Sequence, residues 1–323
     1  SHGCVIDCLR TGFHRAGVPW SFNADHQPIG GKYDDREDAL VNGCLFATYI
    51  TFDLSPELSV TKPPQDADKR VAWVRDHMDD GLARAVKERT RATGFPMDDD
   101  SLNSLLCYVW PAVSKMKRRD EKYRAVRERA FTTEQGRAYL RELSIDELPG
   151  LTEPATTAVM LALCEALGMK IHFVAPAFGF QKNMPFPDNA ELERRIQRQW
   201  EVCERFGVSV GFHSGSGKSA ENYRVMGRVT GRNLEIKTSG RYTYEMGAAL
   251  SASNDPGDQQ LWSDWFQFTC SLAAKGAFSQ GETERNMARS FINEAYATLA
   301  SQAPASLFQS PSECLDALQA LPR

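Results

Sequence analysis

Two histidines stand where an apolar, β-rich run gives way to a loop: His26 in "FNADH" and His213 in "VGFHSGSGK". Two imidazoles carried by different strands, with carboxylates beside them, can hold a divalent cation and leave coordination positions open to a substrate. Asp25, Asp53, Gln181, Lys182, Ser214, Lys218 and Lys237 occupy comparable strand-end positions, and Glu153 opens a helix. Taken singly, each has a structural alternative. A strand-end histidine can be a hydrogen-bonded structural residue. Asp25 can form a turn ahead of Pro28, Glu153 can cap the helix that starts at Pro154, and any one lysine can be a surface group. His172 lies inside a strand and reads as a satisfied core histidine, whereas His14 and His77 fall on helical patterns and read as surface.

The stretch "VSVGFHSGSGKSAENYR", Val208 to Arg224, invites comparison with a phosphate-binding P-loop. That motif needs Gly, four residues, then Gly-Lys-Ser/Thr, so that backbone amides wrap the phosphates and the lysine reaches the terminal ones. Counting back from Gly217-Lys218-Ser219 places Phe212 where the first glycine belongs, and Gly211 comes one residue too early. The loop is Gly/Ser-rich and can bring backbone close to a ligand, but it does not fit an ATP motif.

The elements that must position these groups alternate between two periods. Strand-like runs end at Asp25-His26 ("VPWSFNADH"), Asp53 ("CLFATYITFDLS"), near Pro176 ("MKIHFVAPAFG"), at His213 and at Lys237 ("NLEIKTSG"). Helical patterns lie between them, including "DDREDALVNG", "TTAVMLALCEALG" and the amphipathic "NAELERRIQRQWEVCERFG", for which Asn189 is the expected N-cap and Gly207 the C-cap. Strand, helix, strand at about thirty-residue spacing predicts parallel βαβ units with right-handed crossovers. Polar residues at successive strand C-termini predict a (β/α)8 TIM-type barrel, whose βα loops all open on one face. A doubly wound sheet would carry a glycine fingerprint at its switch point, and "GFPMDD", "GGKYDD" and "GMKIHF" all fail it. About six strands can be placed, so either two are weakly patterned or the first strand or strands are absent from this chain. The expectation is a single barrel domain over 1–323, with a charged helical insertion at about 66–142 and a helical C-terminal region at about 247–323. The basic run Lys115–Arg129 is interrupted by Asp120, Glu121 and Glu128 and reads as a solvated helix face.

Composition bounds the function class. The 323 residues suffice for one large α/β core. A net charge of −4 argues against a nucleic-acid partner, and no apolar run is long enough to span a membrane. The opening "SHGCVIDCLRTGF" has neither an initiator Met nor a signal-peptide layout. The eight cysteines are scattered without a Cys-x-x-Cys pair, which suits buried thiols in a reducing compartment and makes the cytoplasm the expected location.

"FNADH" followed by "ITFDLS" resembles the strand pair of the tagaturonate epimerase family, in which an Ala-Asp-His tip precedes a Thr-x-Asp-x-Ser strand end. "GFHSGSGK" resembles that family's His-Ser-Gly-Ser-Asp-Lys strand end, with Gly217 where Asp is usual. "IKTSGRYTYEMG" is similar to its Lys-Thr-Ala-Gly segment, and "TEPATT" with "HFVAPAFGFQK" to its Glu-Thr-rich segment and following strand. In order, these segments cover about 17–250. The resemblance implies a divalent-metal-dependent enzyme (Zn, Mn, Ni or Co) that interconverts D-tagaturonate and D-fructuronate. It implies His26 and His213 as metal ligands, Asp25 as proton acceptor and Glu153 as proton donor. Asp53, Gln181, Lys182, Ser214, Lys218 and Lys237 are the candidates to bind a sugar-acid substrate, with Lys237 the best placed of the lysines for its carboxylate. A family histidine falls at or near Asn293 here. The two sugar acids differ at a carbon two positions from the ketone, where simple enolisation cannot act. Transient oxidation would need a bound nicotinamide, for which the sequence has no fingerprint, so retro-aldol cleavage and re-addition is the expected route. A divalent-metal-dependent sugar-acid aldolase and a non-catalytic sugar-acid-binding barrel protein remain as alternatives.

Overall fold

The structure is a computed structural model and describes residues 2–300 and 303–322. The chain divides into two compact units, Ser1–Ser239 and Gly240–Arg323. The first holds six strands: β1 (Asn23–Pro28), β2 (Tyr49–Asp53), β3 (Leu140–Ser144), β4 (Phe173–Ala175), β5 (Ser209–Phe212) and β6 (Leu234–Ile236). They form one sheet in sequential order, every neighbouring pair parallel. Among the described residues no ladder joins β6 to β1. A parallel α/β sheet of this order agrees with the strand-helix-strand rhythm of the sequence.

Alternation along the strands separates two faces. Ile50, Phe52, Leu143, Val174, Val210 and Phe212 point one way and are fully buried in one apolar core with the helices Asp99–Ala130, Pro154–Ala166 and Asn189–Phe206. The opposite positions include the polar or small Thr51, Glu142, Gly211 and Glu235, alongside the aromatic pair Tyr49 and Phe173. The Pro154–Ala166 helix buries nine of its residues, as a predominantly apolar helix should.

Helix ends follow local chemistry. The carboxylate of Asp188, one residue earlier than expected, caps the Asn189–Phe206 helix by accepting the Ala190 and Glu191 amides. Gly207 closes it in the left-handed conformation, as its position predicted.

Between β2 and β3 the chain is helical from Ser55 to Arg137 except for short links, and the longest piece is the 32-residue Asp99–Ala130 helix. The solvated-face reading of Lys115–Arg129 fails at three charged positions, Arg119, Asp120 and Arg127, all of them buried. Arg119 is buried against Glu37 at 2.7 Å. The buried Arg127 guanidinium donates to five main-chain carbonyls, those of Leu45, Ala47, Gly136, Arg137 and Ala138. It thereby ties the helix to the segments that lead into β2 and β3.

The second unit packs the helices Pro256–Ala277, Glu282–Leu299 and Pro311–Gln319 around Cys270, Ala274, Ile292, Tyr296 and Cys314. Trp262 and Trp265 meet edge to face. All eight cysteines are free thiols. No helix among the described residues is long and apolar enough to cross a membrane.

Candidate active site

The polar face of the sheet converges on His213. Its Nδ1 lies 2.8 Å from Asp146 Oδ1 and its Nε2 lies 3.0 Å from Glu142 Oε1. Glu142 is completely buried on β3 and accepts a second hydrogen bond, 2.6 Å, from Thr51 on β2. Asp146, just past the end of β3, accepts from the Ser144 hydroxyl at 2.7 Å. Burial alone would lower the His213 pKa, but Asp146 and Glu142 outweigh it and raise the value to about 9. The two carboxyls respond reciprocally: burial would raise them, yet His213 holds both below the usual carboxylate range.

His26 reaches the same place by a break in β1. Strict alternation would send Asp25 and His26 to opposite faces. The ladder to β2 slips between Ala24 and Gln27, and His26 adopts φ +36, a conformation that costs a non-glycine residue roughly 1–3 kcal/mol. The bulge re-aims the imidazole. His26 Nε2 then lies 3.8 Å from both Asp25 Oδ1 and Glu147 Oε1, and Nδ1 lies 3.6 Å from Asp53 Oδ2. Nδ1 is buried without a hydrogen bond. The Asp53 carboxylate, aided by Asp25 and Asp146, raises the His26 pKa against burial.

The two imidazoles meet edge to face with ring centroids 5.1 Å apart. One ligand atom each from His26, His213 and Asp146 fall within 4.8 Å of one another. Two imidazole nitrogens and one carboxylate oxygen form a donor set suited to a borderline divalent cation, and the buried His26 Nδ1 has no hydrogen-bond partner. These residues fit the metal that the sequence implied. The resemblance places a family histidine at or near Asn293; the carboxylate that stands beside the two histidines is Asp146, just past the end of β3.

Beneath this cluster lies a second acidic layer. Gly211 on β5 has no side chain because there is no room for one: a Cβ would stand 2.5 Å from Glu142 Oε1 and 3.1 Å from Glu235 Oε2. Burial, reinforced by Glu142, pushes the Glu235 carboxyl up to about 7. Lys237, at the end of β6, pairs with Asp25 on β1 and lies 3.7 Å from Glu142 Oε2. Burial would raise the Asp25 carboxyl, but Lys237 and the two histidines bring it down.

The model of the tagaturonate epimerase family, UxaE, matches residues 9–270. The chain belongs to the tagaturonate epimerase family. That makes it a carbohydrate epimerase, an isomerase. A glycerol-bound crystal structure of fructuronate-tagaturonate epimerase UxaE from Cohnella laeviribosi resembles it with a TM-score of 0.57 at 17% identity, over 95% of this chain and 67% of that one. The native structure of that enzyme gives 0.55 at 18% identity with the same coverage. No curated protein matches the chain.

Within this epimerase-family chain, His26, His213, Asp25, Asp53 and Lys237 come together, and Ser214 follows His213 in a left-handed conformation, φ +54. Other expected residues stand elsewhere. Lys218 donates to the carbonyls of Gln181, Met184 and Ser216. With all three protons engaged it has none for a substrate, and it holds the loop after β4 against the loop after β5. Gly217 makes that contact feasible, since a Cβ there would lie 2.5 Å from Asn183 Cα. Gln181 and Lys182 are exposed on the tethered loop. Glu153 is exposed at the start of the Pro154–Ala166 helix and pairs with Arg198 at 3.3 Å; among the described contacts it makes none to either site histidine. Sequence reading missed Glu142, Asp146 and Glu147, all in "RELSIDE", and Glu235. The signal for the first three was Glu142, Ser144 and Asp146 alternating with Leu143 and Ile145, the pattern of a strand with one polar face.

Proposed function

We propose that this protein is a divalent-metal-dependent epimerase that interconverts D-tagaturonate and D-fructuronate by retro-aldol cleavage and re-addition. The observation that carries the proposal is the convergence of His26 and His213, far apart in the chain, with ring centroids 5.1 Å apart beside Asp146. The family match and the neighbouring epimerase structures support the substrate pair. We read the sheet as the larger part of a (β/α)8 barrel. The pairing of Lys237 on the last strand with Asp25 on the first supports this, because it requires the sheet to curl until its edges face each other.

His26, His213 and Asp146 would hold the ion, which when bound supplies a Lewis acid at the ketone oxygen. The protein's own groups handle the protons. Asp25 takes the proton from the hydroxyl on the carbon to be epimerised. As the O–H bond breaks, that carbon becomes an aldehyde and the carbon–carbon electron pair passes to the ketone-side fragment, giving an enediolate. Rotation of the aldehyde presents its other face, the bond re-forms, and the new alkoxide is protonated. The resemblance gives that last role to Glu153. Glu147, 3.8 Å from His26 Nε2, is the carboxyl that the geometry favours. Lys237 is the cation best placed for the substrate carboxylate. The eight free thiols suit a reducing, cytoplasmic setting.

The test is to incubate the metal-stripped protein with D-fructuronate, add back Zn, Mn, Ni or Co, and follow the sugars by NMR, with and without an aldehyde trap. Metal-dependent formation of tagaturonate and a trapped aldehyde fragment are expected. Net release of fragments would indicate an aldolase. Absence of turnover with every metal would sink the proposal, and solvent deuterium at the epimerised carbon with nothing trapped would refute the cleavage step.

A further inference from the structure

At the opposite ends of the strands from the histidines, the residues leading into β3 and β4 border a cavity of about 270 Å³. Arg124, Arg137, Arg141, Lys170 and His172 line it, and Glu128 is the acidic residue among its walls. These groups come from three directions. Arg124 lies on the Asp99–Ala130 helix, Arg137 ends the short Glu134–Arg137 helix, and Arg141, Lys170 and His172 belong to the strand starts.

Two of the charges are already matched. Glu128 lies 3.3 Å from Arg137. Asp120, buried behind the cavity, receives Arg141 through bonds of 2.6 and 3.2 Å. The Arg141 guanidinium is also held 4.4 Å from the centre of the Tyr139 ring, and its Nη1 makes no hydrogen bond among the described residues. Arg124 and Lys170 make no ion pair or hydrogen bond among the described residues. His172 adds an uncharged donor. Its Nδ1 accepts the Arg141 amide at 3.0 Å, which leaves the ring proton on Nε2. Burial, with Lys170 and Arg141 close by, holds this imidazole below its ordinary pKa.

We propose that this cavity is a second binding site, separate from the histidine cluster, for the phosphate group of a small molecule. The two cations left unmatched, Arg124 and Lys170, balance a dianion, where a carboxylate would neutralise only one. Donors converging from a helix and two strands suit a group that accepts on all sides, and the anchored Arg141 brings a planar fork to it. The volume lies just below the range of pockets for small organic ligands, which begins at about 300 Å³. That size suits free phosphate or a compact phosphate monoester.

The experiment is calorimetric titration of the full chain with inorganic phosphate and, separately, with a hexose 6-phosphate, at constant chloride and ionic strength. Saturable binding is expected. The R124A/K170A double variant removes two exposed side chains that the fold does not use, and it should bind about tenfold more weakly for each cation lost. The K237M variant, altered at the other anion-attracting position, should retain the wild-type phosphate affinity. Tighter binding of the ester would identify a phosphorylated metabolite, and equal binding would identify free phosphate. Absence of saturable heat up to about 10 mM ligand, a few kcal/mol of affinity, would overturn the proposal. Unchanged affinity in R124A/K170A, or its loss in K237M alone, would do the same.

Discussion

His213 is gripped on both ring nitrogens by carboxylates, and in the metal-free protein that grip favours the imidazolium. Its folded pKa of about 9 exceeds the ordinary 6.5. The associated stability is therefore fully present below pH 6.5 and is lost as pH rises through 9, by at most about 3 kcal/mol. Glu235, raised from 4.5 to about 7 by burial and Glu142, acts in the same direction, because its ionisation in the folded state is penalised as pH rises between those values. Asp146 and Glu142, held below their ordinary values, contribute stability above the usual carboxylate range that is lost on acidification. The melting temperature of chelator-treated protein should therefore decline from pH 6.5 to 9.5, and the H213N variant should flatten that slope. A slope unchanged in H213N would contradict the assignment. Binding a divalent ion must displace the His213 proton, so ion affinity should rise over the same pH interval. Glu142 is a positioning residue, since it touches His213 and Thr51 rather than the reacting atoms. Glu142→Gln should weaken both metal affinity and kcat by about 10- to 100-fold while the fold, read by circular dichroism, persists.

At the scale of elements, the decisive features are a bulge and a short strand. The β1 bulge turns His26 toward His213, and "NADH" contains no glycine or proline to announce it. β3 is hard to read in the sequence because Arg141 and Glu142 give its five residues the look of the charged helices before them. Its inward face is polar because it carries the site, so function masked the apolar alternation that marks a strand. The remaining five strands end at or within a few residues of where their apolar runs predict, since one face of each had to be buried. Gly211 shows how tightly the layer is built. Gly211→Ala would press a methyl group against Glu142 and Glu235. It should destabilise the protein by about 1–3 kcal/mol in urea unfolding and depress activity. A neutral effect would show that the two carboxylates do not converge over β5.

Across the whole molecule, the sequential parallel sheet was legible because strand and helix periods alternate so regularly. The separation of Gly240–Arg323 as its own compact unit was not, because a helical tail and an independent helical cluster share the same pattern. The site was half legible: the two histidines, Asp25, Asp53 and Lys237 stood at strand ends, whereas the carboxylates that orient them lay in an unrecognised strand. Lys218 looked like a ligand-binding lysine but holds two loops together, a role set by carbonyls distant in sequence. The most direct measurement is anomalous scattering from crystals grown with a stoichiometric divalent ion. A single peak about 2.0–2.2 Å from His26, His213 and Asp146 is the predicted result. No peak there, with His213 still clasped between Glu142 and Asp146, would contradict the account.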